Sequence, residues 1–173
     1  MGLPVVGKAH EAQAGAPFRW FIYGSSLDVE AFRAWAGEHG YQLPDLSRAV
    51  AARLDGWRLS FDVLSRFWGG AVASLAESPG AHVEGIVLPL PGEARGLVDH
   101  KEGAISGLYR PFPVEVTPLA GGAPLDAVAY RAADDRRLPS EETPSRPFVE
   151  TLLRGARAFQ LSPEWIAALE KRR

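Results

Sequence analysis

The chain has 173 residues, no cysteine, 19 Lys and Arg against 21 Asp and Glu, and a formal net charge of −2. That length favours one domain with a full core over two independent ones. The near-neutral balance points to no nucleic-acid partner, and the missing cysteines exclude disulfide frameworks, thiolate metal sites and cysteine nucleophiles.

Residues 1–17 mix Gly, Ala, Pro and polar side chains without a period and read as a flexible leader. No signal-type apolar stretch follows their basic residue, and no run anywhere reaches the roughly 18 apolar residues that span a bilayer. The expectation is a cytoplasmic protein with no membrane partner, folded as one domain over residues 18–173. Phe18-Arg19-Trp20-Phe21-Ile22-Tyr23 is aromatic and β-branched and reads as a buried strand ending at Gly24-Ser25-Ser26. Ser26 or Asp28 then caps a helix whose Val29, Phe32, Trp35 and Ala36 recur at helical spacing until Gly37 and Gly40.

The period changes to two at Trp57, Leu59, Phe61 and Val63. With Asp55-Gly56 as a turn pair, this predicts a β-hairpin. Trp68-Gly69-Gly70 interrupts it, Ala71 to Leu75 resumes a strand, Ser78-Pro79-Gly80 turns the chain, and His82 to Leu90 makes another strand. Pro91-Gly92 opens a short helix over 93–101 closed by Gly103, and a second hairpin surrounds Ala120-Gly121-Gly122-Ala123. Residues 134–147 read as a surface loop. Phe148, Leu152, Ala156 and Phe159 form a helical stripe, and Ser162-Pro163-Glu164 places a cap, a first-turn proline and an early acid on a last helix. Strands in the middle and helices nearer the ends predict an α+β fold, a strongly curved sheet or small barrel.

Metal and nucleotide chemistry find no support, because His10, His39, His82 and His100 lack paired ligand spacing. Serine-elbow, Walker and dinucleotide-binding glycine motifs are absent too. Two features carry chemistry. Tyr23-Gly24-Ser25-Ser26-Leu27 joins a strand to a helix, so its free backbone N–H groups either cradle an anion or simply cap the helix. Asp99-His100-Lys101-Glu102-Gly103 sits beside apolar Val98, Ala104 and Ile105. Its acids are either a solvated helix end or include a carboxylate whose burial lifts its pKa toward neutrality.

These residues together resemble the γ-glutamylcyclotransferase family. Tyr23-Gly24-Ser25-Ser26-Leu27 is similar to the family's opening Tyr-Gly-Ser-Asn-Leu, and the likeness continues through Ala52 to Phe61, Trp68 to Ala73, Ser78-Pro79-Gly80, Val83 to Val87, Glu102-Gly103 and Ser106-Gly107-Leu108-Tyr109. Pro144-Ser145-Arg146-Pro147-Phe148 resembles its closing segment. The resemblance implies a small, mostly antiparallel, closed or nearly closed β-barrel flanked by helices. It also implies a cofactor-independent cyclisation of a γ-glutamyl amide to 5-oxoproline with release of the amine. Carried over by motif, Glu102 is the general acid/base, and Tyr23, Gly24, Ser25, Ser26 and Leu27 form the substrate-binding loop. The implied partner is a small γ-glutamyl compound; a homodimer stays open.

Ser26 stands where the family has asparagine, and Phe148 where it commonly has tyrosine, so each position loses hydrogen-bonding groups. An alternative therefore keeps the fold as a noncatalytic module that binds a carboxylate-bearing ligand. In that case Glu102 turns away from the pocket or is locked in an ion pair.

Overall fold

A computed structural model describes residues 15–173. The strand expected at the start is β1, Phe18–Ile22. It is followed by α1 (Val29–Glu38), β2 (Val50–Ser65), β3 (Gly70–Leu90), α2 (Arg95–Lys101), β4 (Tyr109–Pro118), β5 (Leu125–Ala132), α3 (Arg146–Ala158) and α4 (Pro163–Glu170). The strands close into a barrel in the order β1-β3-β2-β4-β5. Neighbours pair antiparallel except at the closure, where β1 meets β5 in parallel at Trp20 and Val128. The α+β barrel expected from the sequence is thus the observed fold. Of the 1–17 segment, residues 1–14 lie outside the described residues.

Closure removes sheet edges, and it explains why β1 alternates so little. Trp20, Phe21 and Ile22 are all essentially buried, because one face of β1 fills the barrel and the other is covered by helices. The helices start where the sequence places their caps. The Asp28 carboxylate accepts from the Ala31 amide at 3.3 Å, and the Ser162 hydroxyl accepts from the Trp165 amide at 3.2 Å. A proline lies in the first turn of both α3 and α4.

The expected hairpin at Asp55-Gly56 and the expected turn at Ser78-Pro79-Gly80 are both corrected. β2 and β3 each run through these points, and the two strands form one long ribbon. Its register moves from Asp55 opposite His82 to Trp57 opposite Glu77. Gly56 and Gly80, with φ of 84° and 83°, absorb that shift as facing irregularities. The chain reverses at residues 66–69 instead, which carries Trp68 out to the ribbon's tip. Residues 134–147 are mostly irregular as expected, but Arg137 fastens them to the ribbon. Its guanidinium donates to Asp62 at 2.8 Å and to the Leu75 carbonyl at 2.6 Å.

Candidate active site

The turn after β1 is a single 3-10 turn at Ser25–Leu27. The Leu27 and Asp28 amides donate back to the Gly24 and Ser25 carbonyls, each at 3.1 Å. The Ser25 and Ser26 amides come before these bonds and so lack intrahelical acceptors. Four contacts fix the turn. The buried Tyr23 hydroxyl donates to the Tyr130 carbonyl at 2.5 Å. Leu27 packs on α3 at Gly155, where an added Cβ would lie 2.3 Å from the Leu27 Cβ. Asp28 also accepts from the Thr151 hydroxyl at 2.6 Å and the Arg154 guanidinium at 2.9 Å. Burial works against the charged form of Asp28, but Thr151, Arg154 and the Ala31 amide outweigh it and hold its pKa below the usual carboxylate range.

Glu102 follows the last turn of α2, with its amide donating to the Val98 carbonyl at 2.9 Å. Its side chain is half-buried: it reaches the wall of a cleft while protein surrounds the carboxyl. Burial raises its pKa to about 7, against the opposing pull of the Lys101 ammonium and the Trp20 indole N–H. That indole nitrogen is buried with no hydrogen-bond partner among the described residues, and its N–H favours the charged form of Glu102.

The cleft holds about 710 Å³ and brings the two segments together. Tyr23, Gly24, Ser25 and Ser26 form one wall and Lys101, Glu102 and Gly103 another. Leu27 does not reach the cleft; it is 1% exposed and serves the packing on α3. The Tyr23 hydroxyl is engaged by Tyr130, so its phenol supports the loop, and burial drives its pKa well above the ordinary value. A second hollow of about 660 Å³, near Phe18, Arg19 and Arg48, contains none of the site residues expected from sequence.

Sequence reasoning gave no role at the site to Lys101, Tyr109 or Trp35, which also line the cleft. Tyr109 was visible as part of the Ser106 to Tyr109 motif. Its hydroxyl donates to the Ala73 carbonyl at 2.7 Å, and burial, with Glu102 and Asp62 adding to it, keeps the phenol protonated. Phe148 lies at the cleft with its ring 5.5 Å from that of Trp68, so its lost hydroxyl is replaced by an aromatic contact. His39 and His100 approach to 5.1 Å between ring centroids beside Trp35 and Tyr41. Among the described residues no three His, Cys, Asp or Glu are grouped to hold a metal.

A model of the AIG2-like family matches residues 82–169, half of the chain and the half that includes Glu102. The chain belongs to the AIG2-like family. Among relatives, the γ-glutamylcyclotransferase of Bos taurus is 28% identical over 158 residues, covering 89% of this chain and 78% of that protein. The chain spans between 52% and 78% of the length of the curated relatives it matches. Crystal-structure comparison places YkqA of Bacillus subtilis at a TM-score of 0.74 and 27% identity, over 92% of this chain and 55% of YkqA. A structure described as a γ-glutamyl cyclotransferase superposes with a TM-score of 0.71 at 24% identity, over 89% of this chain and 86% of its own. The resemblance drawn from the motifs and the barrel it implied are therefore both borne out.

Proposed function

We propose that this protein is a γ-glutamylcyclotransferase that converts a γ-glutamyl amide to 5-oxoproline with Glu102 as the proton shuttle. The observation that carries this reading is the Glu102 carboxyl lining the same cleft as the Gly24 to Ser26 turn, with burial raising its pKa to about 7. A group poised near neutrality takes and returns a proton with little cost in either direction.

The attacking amine and the carbonyl belong to one substrate, so holding it folded exploits a high effective molarity. The free N–H groups at Ser25 and Ser26 suit the substrate α-carboxylate and fix that fold. The ionised Glu102 takes a proton from the α-ammonium, whose ordinary pKa is about 8, and frees its lone pair. The nitrogen attacks the γ-carbonyl carbon and forms the five-membered ring. Protonated Glu102 then delivers its proton to the departing nitrogen as the original C–N bond breaks. The ring nitrogen still carries a surplus proton after attack, and Glu102 relays this second proton to the released amine in the same way. The α-nitrogen thus loses two protons, the leaving nitrogen gains two and Glu102 returns to its starting state.

The noncatalytic alternative needs Glu102 averted or neutralised by an ion pair. Glu102 instead lines the cleft, and no salt bridge among the described residues involves it. Incubation with γ-glutamyl dipeptides, γ-glutamyl amines and glutathione, followed by quantitation of 5-oxoproline, tests the proposal. Product from at least one compound is expected. Saturable binding of these compounds without product would favour the noncatalytic module.

A further inference from the structure

A γ-glutamyl group is no larger than one glutamate residue, and it leaves much of a 710 Å³ cleft unfilled. The remaining space lies between α1 and the ribbon tip. Its walls are aromatic and aliphatic: Trp35 on one side, Leu64, Phe67 and Trp68 on the other, with Phe148 behind Trp68. Phe67 is 86% exposed and Leu64 56% exposed, although Phe67 is held edge-on to Trp68 at 5.0 Å between centroids. Apolar side chains ordered at the mouth of a cleft form a surface that gains by covering.

Lys101 adds charge to these walls. Its ammonium lies 5.4 Å from the Trp35 ring centroid and 5.9 Å from that of Phe32, and it has neither a salt bridge nor a hydrogen-bonded acceptor among the described residues. Burial lowers its pKa, partly offset by Glu102. A cation held against ring faces and stripped of much of its water is set to gain from an anion. Of the other charged groups at the cleft, Arg66 is also cationic, while Glu38 is acidic and Glu102 is assigned to proton transfer.

Resting on the cyclotransferase reading, we infer that this outer region is the leaving-group subsite and favours an amino acid with a bulky apolar side chain, whose carboxylate pairs with Lys101. The aromatic walls cover the side chain, and Lys101, beside Glu102 in sequence, reads the carboxylate near the bond that breaks. Lys101 and Phe67 are then the residues that set the choice of substrate.

Three compounds separate the two contacts: γ-glutamyl-phenylalanine, γ-glutamyl-phenethylamide, which lacks only the carboxylate, and γ-glutamyl-glycine, which lacks the side chain. For the wild type, kcat/KM for 5-oxoproline release from the phenylalanine compound should exceed that from each of the others by at least ~10-fold. Lys101→Met should bring the phenylalanine to phenethylamide ratio down to about 1, while Lys101→Arg retains it. Phe67→Ala should reduce the phenylalanine to glycine ratio instead. The ratios cancel any common effect of these substitutions on Glu102. Product with flat wild-type ratios, or ratios that Lys101→Met leaves unchanged, overturns this subsite and leaves the cyclotransferase standing. No 5-oxoproline from any of the three overturns the subsite, and none from the wider panel either, glutathione included, overturns the cyclotransferase reading with it.

Discussion

Gly155 and Leu27 touch through the one place where α3 carries no side chain. An added Cβ would lie 2.3 Å from the Leu27 Cβ and 2.6 Å from its carbonyl carbon. Backbone and a buried side chain cannot yield as a flexible tip would, so the helix sets the height of the turn that presents Ser25 and Ser26. Gly155→Ala should lower stability by about 1–3 kcal/mol, the usual cost of overpacking a core. It should also raise KM for the proposed γ-glutamyl substrate by displacing the turn. Denaturant unfolding together with steady-state kinetics checks both; an unchanged midpoint with unchanged KM would show that the contact relaxes freely.

The Arg137 guanidinium ties a long irregular segment to Asp62, Ser60, Ser74 and the Leu75 carbonyl. Arg137→Met keeps much of the stem and removes all of these donors. Asp62, 9% exposed, is then left with the Ser60 hydroxyl as its hydrogen-bond donor. The expected loss is about 1.5–3 kcal/mol, the range for hydrogen bonds to charged groups, read from the urea midpoint at constant slope. A shift within error would mean that water replaces the guanidinium at no cost.

Glu102 links activity to pH in one direction and stability in the other. In its proposed role as a base Glu102 works only when ionised, so kcat/KM should rise with pH through an apparent pKa of about 7. Lys101→Met should move that limb upward, since the ammonium favours the carboxylate. For folding, the pKa is raised from 4.5 to about 7, so between these values the native state holds a proton that the unfolded chain has released. This contribution to stability is fully present below 4.5 and is lost as pH rises toward 7. Subtracting the stability profile of Glu102→Gln from that of the wild type should isolate this downward slope. A flat difference would place the Glu102 pKa near its ordinary value.

Much of this was written locally in the chain. The aromatic run before Gly24, the Ser162-Pro163 cap and the stripe from Phe148 to Phe159 each depend on neighbours within a few residues, and each forms as expected. The Asp55-Gly56 pair misled because a glycine with positive φ serves a bulge as well as it serves a hairpin turn. Only the pairing partner decides between them, and that partner is the equally irregular Gly80 region some 25 residues away.

The site divides in the same way. Glu102 and the Tyr23 loop were legible through motifs, yet their meeting at one cleft is a product of barrel closure. Leu27 belongs to the loop motif but turns into α3, because a sequence motif does not distinguish the residues that touch a ligand from those that hold the motif in place. Lys101 reads in isolation as an ordinary charge at a helix end. Its place over Trp35 and Phe32 depends on α2 packing near α1, although residues 39–94 separate the two helices.

The most direct test is 5-oxoproline release by wild-type protein and Glu102→Gln on the same γ-glutamyl substrate, with circular dichroism confirming that both are folded. The wild type should form product, and the glutamine variant should be slower by at least ~10²-fold, the lower range for loss of general acid–base catalysis. A folded Glu102→Gln protein that turns over at the wild-type rate would contradict the assignment of Glu102 as the proton shuttle.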